Sequence, residues 1–307
     1  MKHEHRYVQG RRRPHPGGPD SIEITNVPVA EPGPGEVRVR IAAAAVNPVD
    51  LGVAGGLFHA MGLINQPDRT GLGWDFAGTV IATGAGVDLA AGTRVAGLVD
   101  GFDRDFGTYA EQLVVPAANL AEVPDGLDLA AASTVPLNGL AAAQLLDLLG
   151  DAPTEGNRLL VTGAAGAVGG YVAALAQDRD WQVTGLARAE DEDFVRSLGA
   201  EFTMHAEPGW DAVADGAAMQ ERALALVRDG GAFVGVQPSA KPTTQRGIRV
   251  EVVVAHPDGL RLADLLARAA SGDLPTRVHA VVPLDQVANA HQAVAKGGLR
   301  GRYVLKP

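Results

Sequence analysis

The stretch "VTGAAGAVGG", residues 161–170, is either a flexible turn or a loop built to bind a phosphate group. It follows the run "RLLV" (158–161), and its glycines Gly163, Gly166 and Gly169 recur at every third position. Glycine permits a tight turn and lets backbone N–H groups approach a pyrophosphate. The spacing GxxGxxG differs from the commonest fingerprint, GxGxxG. The position of the loop between a strand and a helix therefore carries the prediction of a dinucleotide site.

Strands and helices alternate around this loop, which predicts a doubly wound parallel sheet. The predicted strands are 158–162, 182–187, 202–205, 211–214, 232–236 and 250–254, and the predicted helices are 137–149, 167–177, 191–198 and 219–227. The first 125 residues instead contain short β-branched runs separated by Pro-Gly turns, which indicates a barrel or sandwich. Shifts of pattern predict a β-rich domain at 1–124, completed by 256–307, and a Rossmann domain at 125–255.

Composition excludes several classes of function. The formal net charge of −10 argues against nucleic acid or an anionic membrane surface as the partner. The chain has no cysteine, so disulfides, thiolate zinc sites and a cysteine nucleophile are excluded. The N-terminus lacks the apolar region of a signal peptide, and no apolar stretch reaches 18 residues. We therefore expect a cytoplasmic protein without a membrane span.

The end of the second predicted strand indicates which dinucleotide binds. NAD enzymes place an acidic residue there to hold the ribose 2′-OH. This chain reads "TGLAR" (184–188) and has no acid at the tip. Arg188 is suited to bidentate contact with a 2′-phosphate, which favours NADPH. The alternative is that Arg188 is an ordinary surface arginine.

Several ordered segments resemble the medium-chain dehydrogenase/reductase superfamily, specifically its zinc-free NADPH:quinone oxidoreductase-like (zeta-crystallin-like) branch. They are "EPGPGEVRVRIAAAAVNPVD" (31–50), "GLGWDFAGTVIATGAGV" (71–87), "GTRVAGL" (92–98), "GTYAEQLVVPAANLAEVP" (107–124), "AAGAVG" (164–169), "LGAEF" (198–202), "DGGAFVGV" (229–236) and "RGRYVL" (300–305). The resemblance implies an α/β fold with a Rossmann domain and a GroES-like barrel domain.

Zinc-dependent members of the family carry Cys and then His-Glu at two places in these segments. Here Asn47 stands at the cysteine position and Trp74-Asp75 at the His-Glu. A catalytic zinc needs three good protein ligands and an open position. The resemblance therefore implies zinc-independent hydride transfer from NADPH to a small-molecule quinone or α,β-unsaturated carbonyl. The protein positions the acceptor, polarises its carbonyl and delivers a proton.

The resemblance also implies roles for individual residues. Three are expected to be catalytic: Asn47, Asp50 and His59. The expected cofactor contacts are Pro48, Gly163, Ala164, Ala165, Gly166, Ala167, Val168, Arg188, His205, Gly235, Val236, Gln237 and Arg302. His59 is included because the two tyrosines usual in the stretch 51–59 are missing. The alternatives stay open that Asp50 caps a helix, that His59 is solvated, that Asp75 is structural and that Tyr109 packs in the core.

Two other functions compete with the reductase. The missing tyrosines, and Ala141 where a threonine is usual, motivate an NADPH-binding redox sensor or structural protein with little turnover. The same fold also supports an enoyl-thioester reductase. Because the family is commonly dimeric, the resemblance implies a homodimer.

Overall fold

The β-rich part of the chain is built around the strand Glu36–Ala45, whose side chains alternate between a covered and an open face. Val37 and Val39 are fully buried, whereas Arg40 is exposed. This period of two is what a sheet with one covered face requires. The structure is a computed structural model and describes residues 4–11, 18–28, 30–66 and 69–307.

Strands and helices are numbered here in chain order. The strands are β1 (Glu4–Arg11), β2 (Ile22–Pro28), β3 (Glu36–Ala45), β4 (Arg69–Gly71), β5 (Asp75–Thr83), β6 (Arg94–Leu98), β7 (Gln112–Pro116), β8 (Leu120–Glu122), β9 (Arg158–Thr162), β10 (Gln182–Leu186), β11 (Glu201–Thr203), β12 (Trp210–Asp215), β13 (Val227–Gly235), β14 (Arg249–Val252), β15 (Val278–Pro283) and β16 (Arg302–Lys306). The α-helices are α1 (Pro48–Ala54), α2 (Leu57–Ala60), α3 (Leu129–Ala132), α4 (Pro136–Leu149), α5 (Ala167–Leu175), α6 (Glu192–Ser197), α7 (Glu221–Leu224), α8 (Gly259–Ser271) and α9 (Val287–Lys296). Within the described ranges, none of these helices is both long and apolar enough to cross a membrane.

The described residues fall into two compact units. Unit 1 lies within 1–137, 256–270 and 276–307, and unit 2 comprises 138–255 and 271–275. The main sheet of unit 1 has the strand order β15-β16-β3-β5-β6-β8, with β7 paired to β3. Its pairs are antiparallel except for β15 with β16. The smaller sheet, β2-β1-β4, is antiparallel as well.

Unit 2 contains a parallel sheet with the strand order β11-β10-β9-β12-β13-β14. Renumbered from β9, this is the order 3-2-1-4-5-6 of a doubly wound Rossmann sheet. Leu160, Val213 and Phe233 from neighbouring strands are fully buried in its core. Because the registers align Thr162 with Asp215 and Asp215 with Gly235, the carboxyl ends of β9, β12 and β13 form one edge of the sheet.

The predicted helix 219–227 is wrong over most of its length. Only Glu221–Leu224 is helical, and β13 begins at Val227 rather than at residue 232. Ala218 and Gln220 have positive φ angles, which a right-handed helix does not allow. The carboxylate of Asp215 accepts the N–H groups of Met219 and Gln220 and so holds this non-helical backbone. A smaller correction concerns the strand predicted at 202–205, which spans Glu201–Thr203.

Two adjacent glycines of α5 allow a matched test of backbone packing. A Cβ added to Gly169 would lie 2.2 Å from the carbonyl oxygen of Gly163, whereas at Gly170 the nearest atom would be 3.5 Å away. We expect Gly169→Ala to lower the free energy of unfolding by about 2–3 kcal/mol through overpacking. Gly170→Ala should raise it by up to about 1 kcal/mol because alanine favours a helix. Urea unfolding of both variants measures this, and equal stabilities would contradict the packing described here.

Candidate functional site

The glycine loop of unit 2 connects β9 to α5. Gly163 has a φ of +61° and its carbonyl oxygen accepts the N–H of Gly166 at 2.7 Å. Gly166 is the extended N-cap residue of α5, and no side chain caps that helix. The first N–H groups of α5 are therefore left for an anion, and the helix dipole favours negative charge there. Ala164, Ala165, Ala167 and Val168 complete the predicted loop and add no charge.

The structure brings Arg188 and His205 to neighbouring strand ends. Arg188 follows β10 and His205 follows β11, and these two strands pair in parallel through Leu186 and Thr203. The side chain of Arg188 is 63% exposed, with its Nη1 3.8 Å from Oε1 of Glu190. An exposed pair of this kind holds the guanidinium only weakly, so it stays available to an anion.

The residues after β13 meet a loop that the sequence did not predict. Gly235 ends β13, and Val236 and Gln237 follow it. The side-chain amide of Gln220 donates to Oε1 of Gln237 at 2.9 Å. Asp215, at the end of β12, is fully buried and accepts the hydroxyl proton of Thr162 at 2.6 Å. A polar residue at the end of each of two strands was the available signal for this group.

In unit 1, Asn47 and Asp50 form the start of α1. The N–H of Asn47 donates to Oδ2 of Asp50 at 2.8 Å, and Oδ1 of Asp50 accepts the N–H of Gly73 at 3.0 Å. The predicted helix cap at Asp50 is therefore present, as part of a capping box with Asn47. Pro48 occupies the first turn of α1 and is exposed, while His59 lies half-buried on α2.

Asp75 is the second buried carboxylate of this group. Its Oδ2 accepts the side-chain N–H of Asn47 at 2.8 Å, and its Oδ1 accepts the N–H of Leu137 at 2.5 Å. Asp75 therefore ties the start of α1 to the start of α4. Arg302, at the start of β16, contributes a positive charge that lowers the pKa of Asp75.

Burial dominates the titration of both carboxyls. Loss of solvation raises the pKa of Asp50 from 3.8 to about 6, although its backbone hydrogen bonds oppose the shift. The same cause raises the pKa of Asp75 to about 7, and the neighbouring charge of Asp50 adds to it. Burial also raises the pKa of Tyr109 well above its ordinary value, so its hydroxyl stays protonated beside Asp50.

Trp74 and Arg104 were missed as members of this group. The Arg104 guanidinium lies 4.7 Å from the centre of the Trp74 ring, and its Nη2 donates to the Gly73 carbonyl at 2.5 Å. Phe102 contacts the same indole edge-on, with ring centres 5.2 Å apart, and Phe58 packs on Phe102 at 4.1 Å. Burial lowers the pKa of Arg104 to about 10, which leaves it charged at neutral pH.

These residues do not fit a catalytic zinc ion. The Asn47 amide is turned to Asp75 as a donor, and Trp74 offers an aromatic ring where a histidine ligand would stand. The chain has no cysteine. In the part of the chain that the structure describes, no group of three or more His, Cys, Asp or Glu side chains has metal-binding geometry. A tetrahedral site with three protein ligands cannot be assembled from these residues.

His291 provides a pH-dependent test of this core. It is fully buried on α9, its ring meets the Tyr109 ring edge-on at 5.9 Å, and burial lowers its pKa from 6.5 to about 4. The neutral ring therefore contributes stability above pH 6.5 that is lost as the pH falls towards 4. In His291→Leu, we expect this loss of up to about 3 kcal/mol to disappear. Asp50 and Asp75 act in the opposite direction, since their raised pKa values favour the fold as the pH falls.

Urea unfolding of wild type and His291→Leu between pH 7.5 and 4.5 isolates the histidine, because both proteins retain the two carboxyls. His279→Leu, at an exposed position, is the control and should keep the wild-type profile. A His291→Leu profile parallel to wild type would contradict the burial of a neutral ring.

Comparison with known proteins supports the family assignment at both ends of the chain. The alcohol dehydrogenase GroES-like domain matches residues 33–125, and the zinc-binding dehydrogenase domain matches residues 186–305. The solved quinone oxidoreductase from Coxiella burnetii shares the fold, with a TM-score of 0.86 and 23% identity over 99% of this chain and 100% of that one. The predicted fold class, a Rossmann domain with a β-rich GroES-like domain, is confirmed.

Three curated relatives describe the neighbourhood of the chain. It is 29% identical to the chloroplastic NADPH-dependent alkenal/one oxidoreductase of Arabidopsis thaliana, over 95% of this chain and 77% of the relative. It is 35% identical to a quinone oxidoreductase of Pseudomonas aeruginosa, over 61% of this chain and 55% of the relative. It is 33% identical over 82% of its length to the pikromycin polyketide synthase component PikAII of Streptomyces venezuelae, of which it spans 7%. The chain belongs to the medium-chain dehydrogenase/reductase superfamily, a family of nicotinamide-dependent oxidoreductases, and within it to the quinone oxidoreductase-like branch.

Proposed function

We propose that this protein uses NADPH to reduce a quinone or an α,β-unsaturated carbonyl compound without zinc. The observation that carries the proposal is the glycine loop, which combines the positive φ of Gly163 with an uncapped α5 and the close packing of Gly169. A Cβ in this loop would fill the space that backbone N–H groups need to approach a phosphate. Similarity to relatives named as alkenal/one and quinone oxidoreductases supports the substrate class.

Unit 2 is the proposed cofactor domain. Residues 163–168 would hold the pyrophosphate, Arg188 the 2′-phosphate and His205 the adenosine side, while Gly235, Val236 and Gln237 would line the switch-point crevice. Arg302 of unit 1 stays a predicted cofactor contact. A bound nicotinamide supplies the hydride. The exposure of Arg188 and its weak pairing with Glu190 support the preference for NADPH over NADH.

Unit 1 is the proposed substrate domain. We propose that Asn47 contacts the acceptor and that Asp50 acts through it, because both Asp50 oxygens accept backbone N–H groups, one of them from Asn47. Asp50 is then a positioning residue. His59, half-buried on α2, stays the predicted additional donor. The homodimer and the cytoplasmic location also remain predictions.

A second candidate function is reduction of an enoyl thioester. The similarity to a polyketide synthase component over 82% of this chain favours it. Assays with simple quinones, enones and a crotonyl thioester, each followed by NADPH depletion at about 340 nm, separate the two reactions. Tight nucleotide binding without turnover of any acceptor would favour the redox-sensor alternative.

Arg188 gives the test of cofactor preference. Arg188→Ala should weaken NADPH binding by about 10- to 100-fold, the range expected for losing charge-assisted contacts to a phosphate. NADH binding should stay unchanged, because NADH has no 2′-phosphate. Arg196→Ala is the matched control, since Arg196 is a similarly exposed arginine paired to Glu192. Titration calorimetry with both nucleotides measures the effect, and equal NADPH affinity in wild type and Arg188→Ala would contradict the assignment.

Chelation tests independence from zinc. Because Asn47 and Trp74 cannot serve as zinc ligands, turnover should be unchanged after prolonged treatment with 1,10-phenanthroline. A zinc-dependent alcohol dehydrogenase treated in parallel is the positive control. Loss of activity that is restored by added zinc would show that this interpretation of the site is wrong.

A further inference from the structure

The loop Gly216–Gln220, between β12 and α7, has a strained backbone beside the glycine loop. Ala218 and Gln220 are two of the four non-glycine residues with positive φ among the residues that the structure describes. Gln220 has φ 56° and ψ −119°, a conformation that side chains other than glycine rarely adopt. Such a backbone persists only where the surrounding structure determines it, and these positions cluster at ligand sites.

Asp215 and Thr162 supply what holds this loop. Oδ1 of Asp215 accepts the N–H of Met219 at 3.0 Å, and Oδ2 accepts the N–H of Gln220 at 2.7 Å. Thr162 donates its hydroxyl proton to Asp215 and accepts the N–H of Ala217 at 3.1 Å. Because Asp215 is fully buried, its carboxylate acts on the loop and not on a ligand.

The loop is fitted directly against the glycine loop. A Cβ on Gly163 would lie 3.1 Å from the Ala217 Cβ, and one on Gly216 would lie 3.0 Å from the Gly169 Cα. The strained loop therefore forms a wall beside the proposed pyrophosphate site. It lies on the β12 side of that site, whereas Arg188 lies on the β10 side.

The polar groups presented on this wall are two side-chain amides. Gln220 donates to Gln237 at 2.9 Å, and both side chains are half-buried. The pair leaves the Gln220 carbonyl as an acceptor and the Gln237 NH₂ as a donor. An acceptor beside a donor suits ribose hydroxyls or a carboxamide, which are the polar groups of a nicotinamide nucleoside.

We propose that Gln220 and Gln237 contact the nicotinamide nucleoside half of the cofactor, and that Asp215 is the positioning residue that holds Gln220 in place. The inference rests on the proposed cofactor function. In a doubly wound sheet the two halves of a dinucleotide lie on opposite sides of the switch point. With the 2′-phosphate assigned to Arg188 at β10, the other half falls at β12 and β13.

The test compares NADPH with adenosine 2′,5′-bisphosphate, which lacks the nicotinamide nucleoside. In Asp215→Asn the amide nitrogen would face the Gln220 N–H, so that anchor is lost, while Gln220→Ala and Gln237→Ala remove the contacts themselves. Each variant should weaken NADPH binding by about tenfold or more. Binding of the adenosine fragment should change by less than about twofold. Titration calorimetry gives both constants.

Asp211→Asn is the matched control. Asp211 lies on the same strand and accepts the N–H of Arg158 at 3.0 Å, near the other end of β12. Both affinities should be those of wild type in this variant. If Asp215→Asn fails to fold, the two glutamine variants carry the test, because their side chains are only half-buried.

Equal weakening of NADPH and the fragment, or unchanged NADPH affinity, would overturn the proposal. A wild-type protein that binds neither compound would instead overturn the cofactor function itself, and the inference with it. If wild type prefers NADH, the same comparison is made with NADH and AMP, and the same outcomes decide.

Discussion

The close approach of α5 to the end of β9 is the constraint on which the cofactor unit depends. At Gly169 the helix backbone is so near the Gly163 carbonyl that a single added carbon atom would lie 2.2 Å from it. Gly216 from the neighbouring strand end packs on the same spot. Three pieces of backbone thus meet without side chains between them, and this brings the N-terminus of α5 to the switch-point edge, where an anion can reach it.

Buried carboxylates have the same task in both units. Asp50 accepts the N–H groups of Asn47 and Gly73, Asp75 that of Leu137, and Asp215 those of Met219 and Gln220. An isolated buried carboxylate is costly, and hydrogen bonds from the backbone offset part of that cost. Each acid fixes a loop or helix start while its neighbours remain free to contact ligands. A functional motif that contains a carboxylate therefore need not place that carboxylate on the substrate.

Local pattern was sufficient for much of the fold. The strand predicted at 158–162 is β9 to the residue, and the helix predicted to follow it begins at Ala167 as expected. The failure at 219–227 has a non-local cause. Its apolar spacing resembles a helix, but the N–H groups that would begin the helix are taken by Asp215, and Asp215 is itself oriented by Thr162, far earlier in the chain. Periodicity within the segment contains no trace of that competition.

The candidate site shows the same division between local and distant information. The sequence alone nominated Asn47 and Asp50 because they lie within one short motif. It could not pair Trp74 with Arg104, or Tyr109 with His291, because those contacts join segments that only the folded sheet brings together. The consequence is chemical as well as structural. With Trp74 stacked between Arg104 and Phe102, and Asn47 committed to Asp75, the positions that hold zinc ligands elsewhere in the family are occupied by packing and hydrogen bonds. Polarisation of an acceptor in this unit must therefore come from hydrogen-bond donors, which is a demand that activated carbonyl compounds meet more easily than alcohols.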